Sequence, residues 1–228
     1  MFLTRFQINP ARRGARKLLS SPQAMHAAVR AAFAATEDHE QGGTRTLWRL
    51  DTVAPATVYL YIVSPGRPDL THLVEQAGWP TTQTWVTRSY DTLLNSLRVG
   101  QQWAFRLTAN PTHSGRKTAD SKDTQRFAYI REEEQATWLA DRAPRHGFVL
   151  ATQQDGQLNL RLHHRRTQTF KRGAADVTLA SVVYDGVLEI TDTHAFRRAL
   201  TSGIGHAKAY GCGLLTLAPA NETGGAGQ

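Results

Sequence analysis

The sequence predicts an α+β protein made of two similar halves, each with the order strand, helix, strand, strand, helix, strand. The chain has 228 residues, which suits two domains of about 100 residues each. Short segments alternate apolar and polar residues, and helix-start signals separate them. The order of these segments restarts once, near Asn95 to Gly100. These three observations favour a duplicated α+β unit over a single large sheet.

The first half opens on the predicted strand FLTRFQIN, in which apolar and polar residues alternate. The basic segment PARRGARK follows and is predicted to be a loop. Ser21 and Pro22 then favour a helix start, because serine caps helices and proline fits the first helical position. This helix is predicted to run to about Thr36. The rest of the half consists of strands TLWRLD and TVYLYIV around a turn at Ala54-Pro55, a short helix from Asp69 to Ala77, and strand TWVTRSY.

The second half repeats the order of elements. Its predicted strands are QWAFRLTANP, GFVLAT, LNLRL, VTLASVVYDGVLEI and LLTLAP, and its predicted helices are EEEQATWLADRA and DTHAFRRALTSG. The chain thus reads βαββαβ twice, the split βαβ pattern typical of ferredoxin-like (RRM-like) domains. The predicted domains are residues 1–95 and 100–219. A polar, glycine-rich tail, 220–228, is predicted to be flexible.

Charge is unevenly distributed along the chain. Lys and Arg number 27 against 19 Asp and Glu, a formal net charge of +8. Two long stretches contain no acidic residue, one before Glu37 and one between Asp155 and Asp176. The candidate contacts to a polyanion in these stretches are Arg12, Arg13 and Arg30, and Arg161, His163, His164, Arg165, Arg166, Lys171 and Arg172. A surface without a partner usually mixes its charge signs, so these stretches indicate phosphate contacts.

Several classes of protein are disfavoured by the sequence. Cys212 is the single cysteine, which excludes an intrachain disulfide and a cysteine-based zinc site and fits a reducing cytoplasm. No apolar run approaches the ~18 residues typical of a membrane span. The nucleotide-binding, zinc-protease and nucleophile-elbow motifs are absent. We therefore expect no metal, no cofactor and no membrane partner.

His26 is the candidate for proton transfer. It lies at the border of the inward stripe of its predicted helix, where Met25 and Val29 point to the core. A histidine in such a place is more often structural than catalytic. However, no nearby carboxylate fixes its charge state, and an imidazole titrates near neutral pH. Beside a phosphodiester it is suited to take the proton of a ribose 2′-OH or to give one to the leaving 5′-oxygen.

Two further segments have open interpretations. The stretch GIGHAKAYGCG from Gly203 to Gly213 either brings backbone N–H groups and Lys208 close to a sugar–phosphate chain, or simply connects a helix to an edge strand. The residues alone leave both interpretations open. The window from Arg161 to Arg172 is predicted to be a cationic hairpin against the phosphates of an RNA stem, with a solvated loop as the alternative. A metal site at His163-His164 is disfavoured because no third ligand is suitably spaced.

The segments FRLTANP and GIGHAKAYGCGLLTLAP together resemble the CasE family, the repeat-RNA endoribonucleases of type I-E CRISPR systems. The Met-His pair of SPQAMH agrees, as do Trp138-Leu139 and the segment VVYDGVLEITD. The resemblance spans residues 1 to 219, and its closing segment is highly specific.

This resemblance implies a tandem ferredoxin-like fold and metal-independent cleavage of the CRISPR precursor RNA at the base of each repeat stem-loop. The implied reaction is attack by the 2′-OH, which leaves a 2′,3′-cyclic phosphate and a 5′-OH. The implied partners are the repeat RNA, before and after cleavage, and the other subunits of the Cascade complex. The alternatives from other classes are an RNA-hairpin-binding subunit without catalysis and a protein with no RNA role.

The resemblance also assigns roles to residues. The catalytic histidine falls on His26, and the RNA-contacting hairpin falls on Arg161 to Arg172, best matched at His163 to Arg166. The glycine-rich loop falls on Gly203, Gly205, Gly211 and Gly213, with Lys208 among them. Gln23 stands where some members carry a tyrosine. Because an amide cannot transfer a proton at neutral pH, we expect slower cleavage than in a tyrosine-bearing relative.

Overall fold

The computed structural model describes residues 1–33, 45–79, 85–116, 124–173 and 175–220. Its helices are α1 (Arg13–Ser20), α2 (Pro22–Arg30), α3 (Thr71–Ala77), α4 (Asp91–Ser96), α5 (Glu132–Arg142) and α6 (Thr193–Ser202). Its strands are β1 (Phe2–Ile8), β2 (Leu47–Ala54), β3 (Thr57–Ser64), β4 (Trp85–Ser89), β5 (Gln102–Ala109), β6 (Thr112–Arg116), β7 (Thr124–Ala128), β8 (Phe148–Leu150), β9 (Leu160–Arg172), β10 (Ala175–Ile190) and β11 (Leu215–Pro219). Within these ranges no helix has the length and hydropathy to cross a membrane. Residues 221–228, most of the predicted tail, lie outside the described residues.

The first four strands form one antiparallel sheet in the spatial order β2-β3-β1-β4. One face of this sheet packs against helices, with Phe6 and Ile8 of β1 fully buried beside Met25 of α2 and Leu73 of α3. The alternation in FLTRFQIN therefore predicted the buried face correctly. Packing of Met25 against this sheet fixes how α2 presents its other side chains.

The second sheet has the order β11-β5-β10-β8, and β9 also pairs with β10. The short strand β8 pairs with residues 188–190 of β10, whereas β9 pairs with residues 175–186. Two consecutive segments thus share one edge of β10. Helices α5 and α6 cover one face of this sheet, where Trp138, Tyr184 and Phe196 are buried. The predicted mixture of helices with antiparallel sheets is confirmed.

The basic segment after β1 differs from its prediction as a loop. Residues 13–20 form helix α1, in which Ala15 and Leu18 are buried three positions apart and the arginines and lysine face solvent. Only two residues of this basic segment are buried against the protein, so its helical pattern is weak. For this reason the sequence suggested a loop. α1 adds a cationic surface next to α2.

Helix α2 begins where the sequence predicted and ends earlier. The Ser21 hydroxyl accepts a hydrogen bond from the Ala24 N–H at 3.2 Å, and Pro22 occupies the first helical position. The helix ends at Arg30 rather than continuing toward Thr36, and residues 31–33 form a turn. Residues 34–36 lie outside the described residues. The sequence also failed to predict α4 and the two-stranded sheet β6–β7.

The two halves share a core. Leu47 and Val63 of the first sheet pack in one cluster with Phe105 and Leu215 of the second. Beside this cluster lies Arg49, whose side chain is 2% exposed. Burial of a charged group requires partners, and Arg49 has several from both halves.

The partners of Arg49 join β2 to the second sheet. Its Nε and Nη2 donate to the Asp51 carboxylate at 2.7 and 2.8 Å. Its Nη1 donates to the carbonyl oxygens of Arg106 and Leu214 at 2.7 and 3.0 Å, and Nη2 also donates to the Thr216 hydroxyl at 2.8 Å. A single guanidinium thereby fixes the orientation of one half relative to the other.

Candidate functional site

Helix α2 places His26 and Gln23 at the border of the core. Its buried anchors are Met25 and Val29, at 0% and 1% exposure. Gln23 and His26 are three positions apart and therefore share one side of the helix, and both are half-buried. The imidazole of His26 is thus held by the helix and still reaches a cleft.

The glycine-rich loop Gly203–Gly213 is folded back on itself. The Ile204 N–H donates to the Gly213 carbonyl at 2.9 Å, and the Gly213 N–H donates to the Thr108 carbonyl of β5 at 2.7 Å. Gly203, Gly205, Gly211 and Gly213 all have positive φ, between 75° and 91°. Glycine is required at these positions because other residues rarely adopt this conformation.

The four glycines differ in their surroundings. Gly203, Gly211 and Gly213 are buried, and a Cβ at any of them would meet protein atoms within 3.0 Å, so these glycines shape the loop. Gly205 lies on a cleft, where a Cβ would meet the Trp138 ring at 3.1 Å, and Gly211 lines a neighbouring groove. The loop connects α6 to β11, and its contact with a sugar–phosphate chain stays a prediction.

The cleft between α2 and this loop has a volume of about 560 Å³. It is lined by Gln23, His26, Arg45, Gly205, His206, Ala207, Lys208, Ala209 and Tyr210. The structure therefore brings His26, Gln23 and Lys208 together, as the resemblance implied. Arg45 and His206 were not predicted, and the only sequence signal for them is their position at the start of β2 and inside the loop.

The electrostatics of the cleft favour an anion. Lys208 and Arg45 are its cationic groups, and no carboxylate of the described residues lines it. Burial, followed by the nearby Arg45 charge, lowers the pKa of Lys208 below its ordinary value. Burial, followed by the charges of Arg126 and Lys208, likewise lowers the pKa of His206. A bound phosphate would relieve this concentration of positive charge.

Strands β9 and β10 form the basic hairpin, here defined as the paired segments Arg161–Arg172 and Ala175–Asp185. A β-bulge interrupts it: His163 pairs with Val183 and Arg166 pairs with Ser181, so His164 and Arg165 together oppose Val182. His164 has a φ of 49°, in the left-handed region. A bulge redirects neighbouring side chains, and here it separates the two arginines.

The two arginines have different surroundings. Arg165 donates to the Glu132 carboxylate at 3.1 Å and to the Ile130 carbonyl at 3.0 Å, at the start of α5. Arg166 is exposed and lies on a groove on the other side of the hairpin. Of the two, Arg166 is the one directed toward α2 and β2.

His163 is hydrogen-bonded at the base of the hairpin and also lines a groove beside it. Its Nε2 lies 2.9 Å from the Asp185 carboxylate, and its Nδ1 lies 2.6 Å from the Nδ1 of His164. Asp185 also accepts two hydrogen bonds from Arg106, each at 2.6 Å. Burial raises the pKa of Asp185, but the hydrogen bonds from Arg106 and His163 outweigh it and hold the pKa below its usual range. His163 therefore anchors the base of the hairpin, and its direct contact with RNA stays a prediction.

The other predicted basic residues fall into three groups. Arg12 donates through Nη1 to the carbonyls of Val74 and Gly78 at 3.2 and 3.1 Å, so it caps the end of α3, and its contact with a ligand stays a prediction. The exposed residues are Arg13, Arg30 and Arg161. Lys171 pairs with Asp176 at 3.3 Å near the hairpin tip, and the side chain of Arg172 lies outside the described residues.

A second cavity, the side groove, adjoins the cleft. Its volume is about 420 Å³, and it lies between α1–α2 and β2 on one side and the basic hairpin on the other. Tyr210 lines both the cleft and the side groove. The Tyr210 ring meets Phe170 of β9 edge-on, with ring centroids 4.7 Å apart. This contact couples the glycine-rich loop to the basic hairpin.

Replacing Gly211 with alanine tests how the loop is held. Gly211 has a φ of 82°, and a Cβ there would lie 2.7 Å from the Trp48 ring. Gly100 has a φ of 83° and no atom within 4 Å of its Cβ position, so Gly100→Ala is the matched control. Backbone strain costs about 1–3 kcal/mol at either site. Overpacking adds about 1–3 kcal/mol at Gly211 only, and we expect urea unfolding to show this difference. Equal losses would mean that Trp48 does not support the loop.

The fold and the cleft define a class: a two-sheet α+β protein with an imidazole and cationic groups around one cleft, next to a basic hairpin. A model of the family described as "CRISPR associated protein" matches residues 1–219. The CRISPR-associated endoribonuclease Cse3 of Thermus thermophilus is 31% identical over 227 residues, covering 96% of this chain and 100% of that protein. The Cascade subunit CasE of Escherichia coli is 34% identical over 129 residues, covering 54% of this chain and 61% of that protein.

A solved structure of the CRISPR endoribonuclease Cse3 bound to a 19-nucleotide RNA superimposes with a TM-score of 0.79 at 28% identity, covering 96% of this chain and 100% of that one. The chain belongs to the CRISPR-associated protein family and, within it, to the CasE (Cse3) family of type I-E repeat-RNA endoribonucleases.

Proposed function

We propose that this protein cleaves CRISPR precursor RNA at the base of the repeat stem-loop, without a metal, by attack of a ribose 2′-OH on the adjacent phosphate. The products are a 2′,3′-cyclic phosphate and a 5′-OH. The observation that carries the proposal is the meeting of His26, Lys208 and the glycine-rich loop in one cationic cleft. The Cse3 relative is named an endoribonuclease, and a Cse3 structure holds RNA, which supports the same activity here.

In this proposal His26 performs proton transfer. Its imidazole either accepts the proton of the attacking 2′-OH or donates one to the leaving 5′-oxygen. Lys208 and Arg45 stabilise the negative charge that grows on the phosphate oxygens in the transition state. Gln23 shares the cleft and orients the phosphate through its amide, which can donate and accept hydrogen bonds but cannot supply a proton.

The basic hairpin is proposed to hold the RNA stem. Arg165 and Arg166 are exposed, and Arg165 exchanges its ion pair with Glu132 for a phosphate. After cleavage the stem stays bound, and the protein serves as a subunit of a Cascade complex in the cytoplasm. The E. coli relative is named a Cascade subunit, which supports this assignment.

We also propose that the halves are two ferredoxin-like domains, residues 1–95 and 100–219. The order β2-β3-β1-β4 supports the first, since it is the order of a βαββαβ unit, in which the first and third strands lie at the centre. The order β11-β5-β10 supports the second, with β8 and β9 together filling the place of one edge strand. Sheet β6–β7 is then an insertion.

The test of the proposed activity is incubation of the protein with its own repeat RNA in excess EDTA. Cleavage at the foot of the stem is expected, with a product that loses its terminal phosphate to phosphatase only after acid opening of the cyclic ester. RNA that is bound but stays intact would favour the RNA-hairpin-binding alternative. Dependence of cleavage on added Mg²⁺ would contradict the mechanism.

The role of the hairpin predicts a change in salt dependence. Replacing both Arg165 and Arg166 with alanine is expected to reduce the salt dependence of binding. The slope of log affinity against log salt concentration should become shallower by about 0.7–0.9 for each phosphate that the protein no longer neutralises. Filter binding at several KCl concentrations measures this slope. Arg88→Ala, on β4 at the opposite edge of the first sheet from β2, is the control and should keep the slope. An unchanged slope in the double variant would rule out the hairpin as the stem-binding element.

A further inference from the structure

We propose that the side groove holds one unpaired nucleotide of the RNA, adjacent to the phosphate in the cleft. The inference rests on the proposed function, because it needs an RNA strand passing His26. The volume of the groove, about 420 Å³, falls within the ~300–1,000 Å³ typical of small-molecule sites. A single nucleotide is a ligand of this size class.

The two walls of the groove match the two parts of a nucleotide. Leu18 and Leu19 of α1 and Leu50 of β2 form an apolar wall, which suits the flat faces of a base. The opposite wall belongs to β9 and presents His164, Arg166 and the amide of Gln168. Because cationic groups bind phosphate, this wall suits the backbone of the same nucleotide. The Asp51 carboxylate also lines the groove, and its charge is compensated by Arg49 at 2.7 Å and Arg106 at 3.8 Å.

Two buried polar atoms behind the apolar wall are suited to hydrogen-bond the edge of the bound base. Trp48 Nε1 and Thr108 Oγ1 belong to lining residues, and neither has a hydrogen-bond partner among the described residues. Both atoms are shielded from solvent, so a hydrogen bond to a base would require the wall to move. Such a hydrogen bond would be favourable, because a buried donor without a partner is costly.

The groove and the cleft are neighbours that share one lining residue. Tyr210 lines both, and Phe170 of β9 supports its ring. The bulge at His164 directs Arg166 toward the groove while Arg165 turns to α5. A strand whose phosphate lies beside His26 therefore has the groove as the neighbouring space for its next base.

The test is an abasic scan. Repeat RNAs that lack one base at a time, across the unpaired flanks and the closing base pair of the stem, are bound to protein carrying His26→Ala so that the RNA stays intact. Loss of the base that occupies the groove is expected to weaken binding about tenfold, which corresponds to burial of roughly 60 Å² of apolar surface. A second variant, Leu19→Trp, fills the groove, and Ser20→Trp on the exposed side of α1 is its matched control.

When Leu19→Trp is added to the His26→Ala protein, affinity for the complete RNA should fall by the same factor of about ten. Removal of the sensitive base from the RNA should then cause no further loss of affinity. Ser20→Trp should bind like its parent. Thermal melting checks that each variant folds, and Leu50→Trp tests the same wall if Leu19→Trp does not fold. Equal binding of all abasic RNAs overturns the inference, as does unchanged RNA binding in the filled variant, the result expected of a groove that docks a protein segment. Failure of the wild-type protein to cut the complete RNA overturns the proposed activity instead.

Discussion

Replacing His26 with alanine is expected to slow repeat-RNA cleavage by about 10²–10⁴-fold, the usual contribution of a general acid or base. RNA affinity should change little, because Lys208, Arg45 and the basic hairpin supply the phosphate contacts. Single-turnover cleavage in excess EDTA measures the rate, and filter binding measures the affinity. The expected pattern is a large loss in rate with an almost constant dissociation constant.

His206→Ala is the matched control, since His206 is the other imidazole that lines the cleft. It is exposed on the loop and is not held by a helix, so its loss should have little effect on the rate. Unaltered cutting by the His26 variant would refute the proposed site. A collapse of the rate in the His206 variant alone would move the proton-transfer role to the loop.

Replacing Arg49 with leucine is expected to lower the free energy of unfolding by about 3–5 kcal/mol, as when one partner of a buried ion pair is removed. The change leaves the buried Asp51 carboxylate with the guanidinium of Arg106 alone, at 3.8 Å. It also leaves the carbonyls of Arg106 and Leu214 without the donor they share. Urea unfolding monitored by tryptophan fluorescence measures the loss.

The exposed pair between Arg165 and Glu132 provides the comparison. Its side chains are 44% and 59% exposed, so Glu132→Ala should change the stability by no more than about 1 kcal/mol. If Arg49→Leu cost as little as this exposed pair, the guanidinium would not be what joins the two sheets.

Most of the fold could be predicted because period-two alternation marks half-buried strands directly. FLTRFQIN and TVYLYIV each bury one set of alternating residues, as the sequence indicated. Helix α1 could not be predicted, because its only buried side chains are Ala15 and Leu18 among many cations. Strands β6 and β7 could not be predicted either, since their residues are mostly polar and exposed and show no apolar alternation.

The sequence indicated several residues of the site, but not how their side chains are oriented or which tertiary contacts they make. His26 and Lys208 were each singled out from the sequence, and their meeting in one cleft is seen only in the structure. The separate orientations of Arg165 and Arg166 depend on a bulge, and the engagement of Arg12 by α3 depends on tertiary packing. Local sequence does not encode such contacts, because their partners lie far along the chain.

The glycine-rich loop packs against one tryptophan from each half of the molecule. Gly211 lies against Trp48 of β2, and Gly205 lies against Trp138 of α5. The wall opposite His26 therefore depends on packing from both halves of the chain, so a change in how the two sheets dock would also change the shape of the cleft.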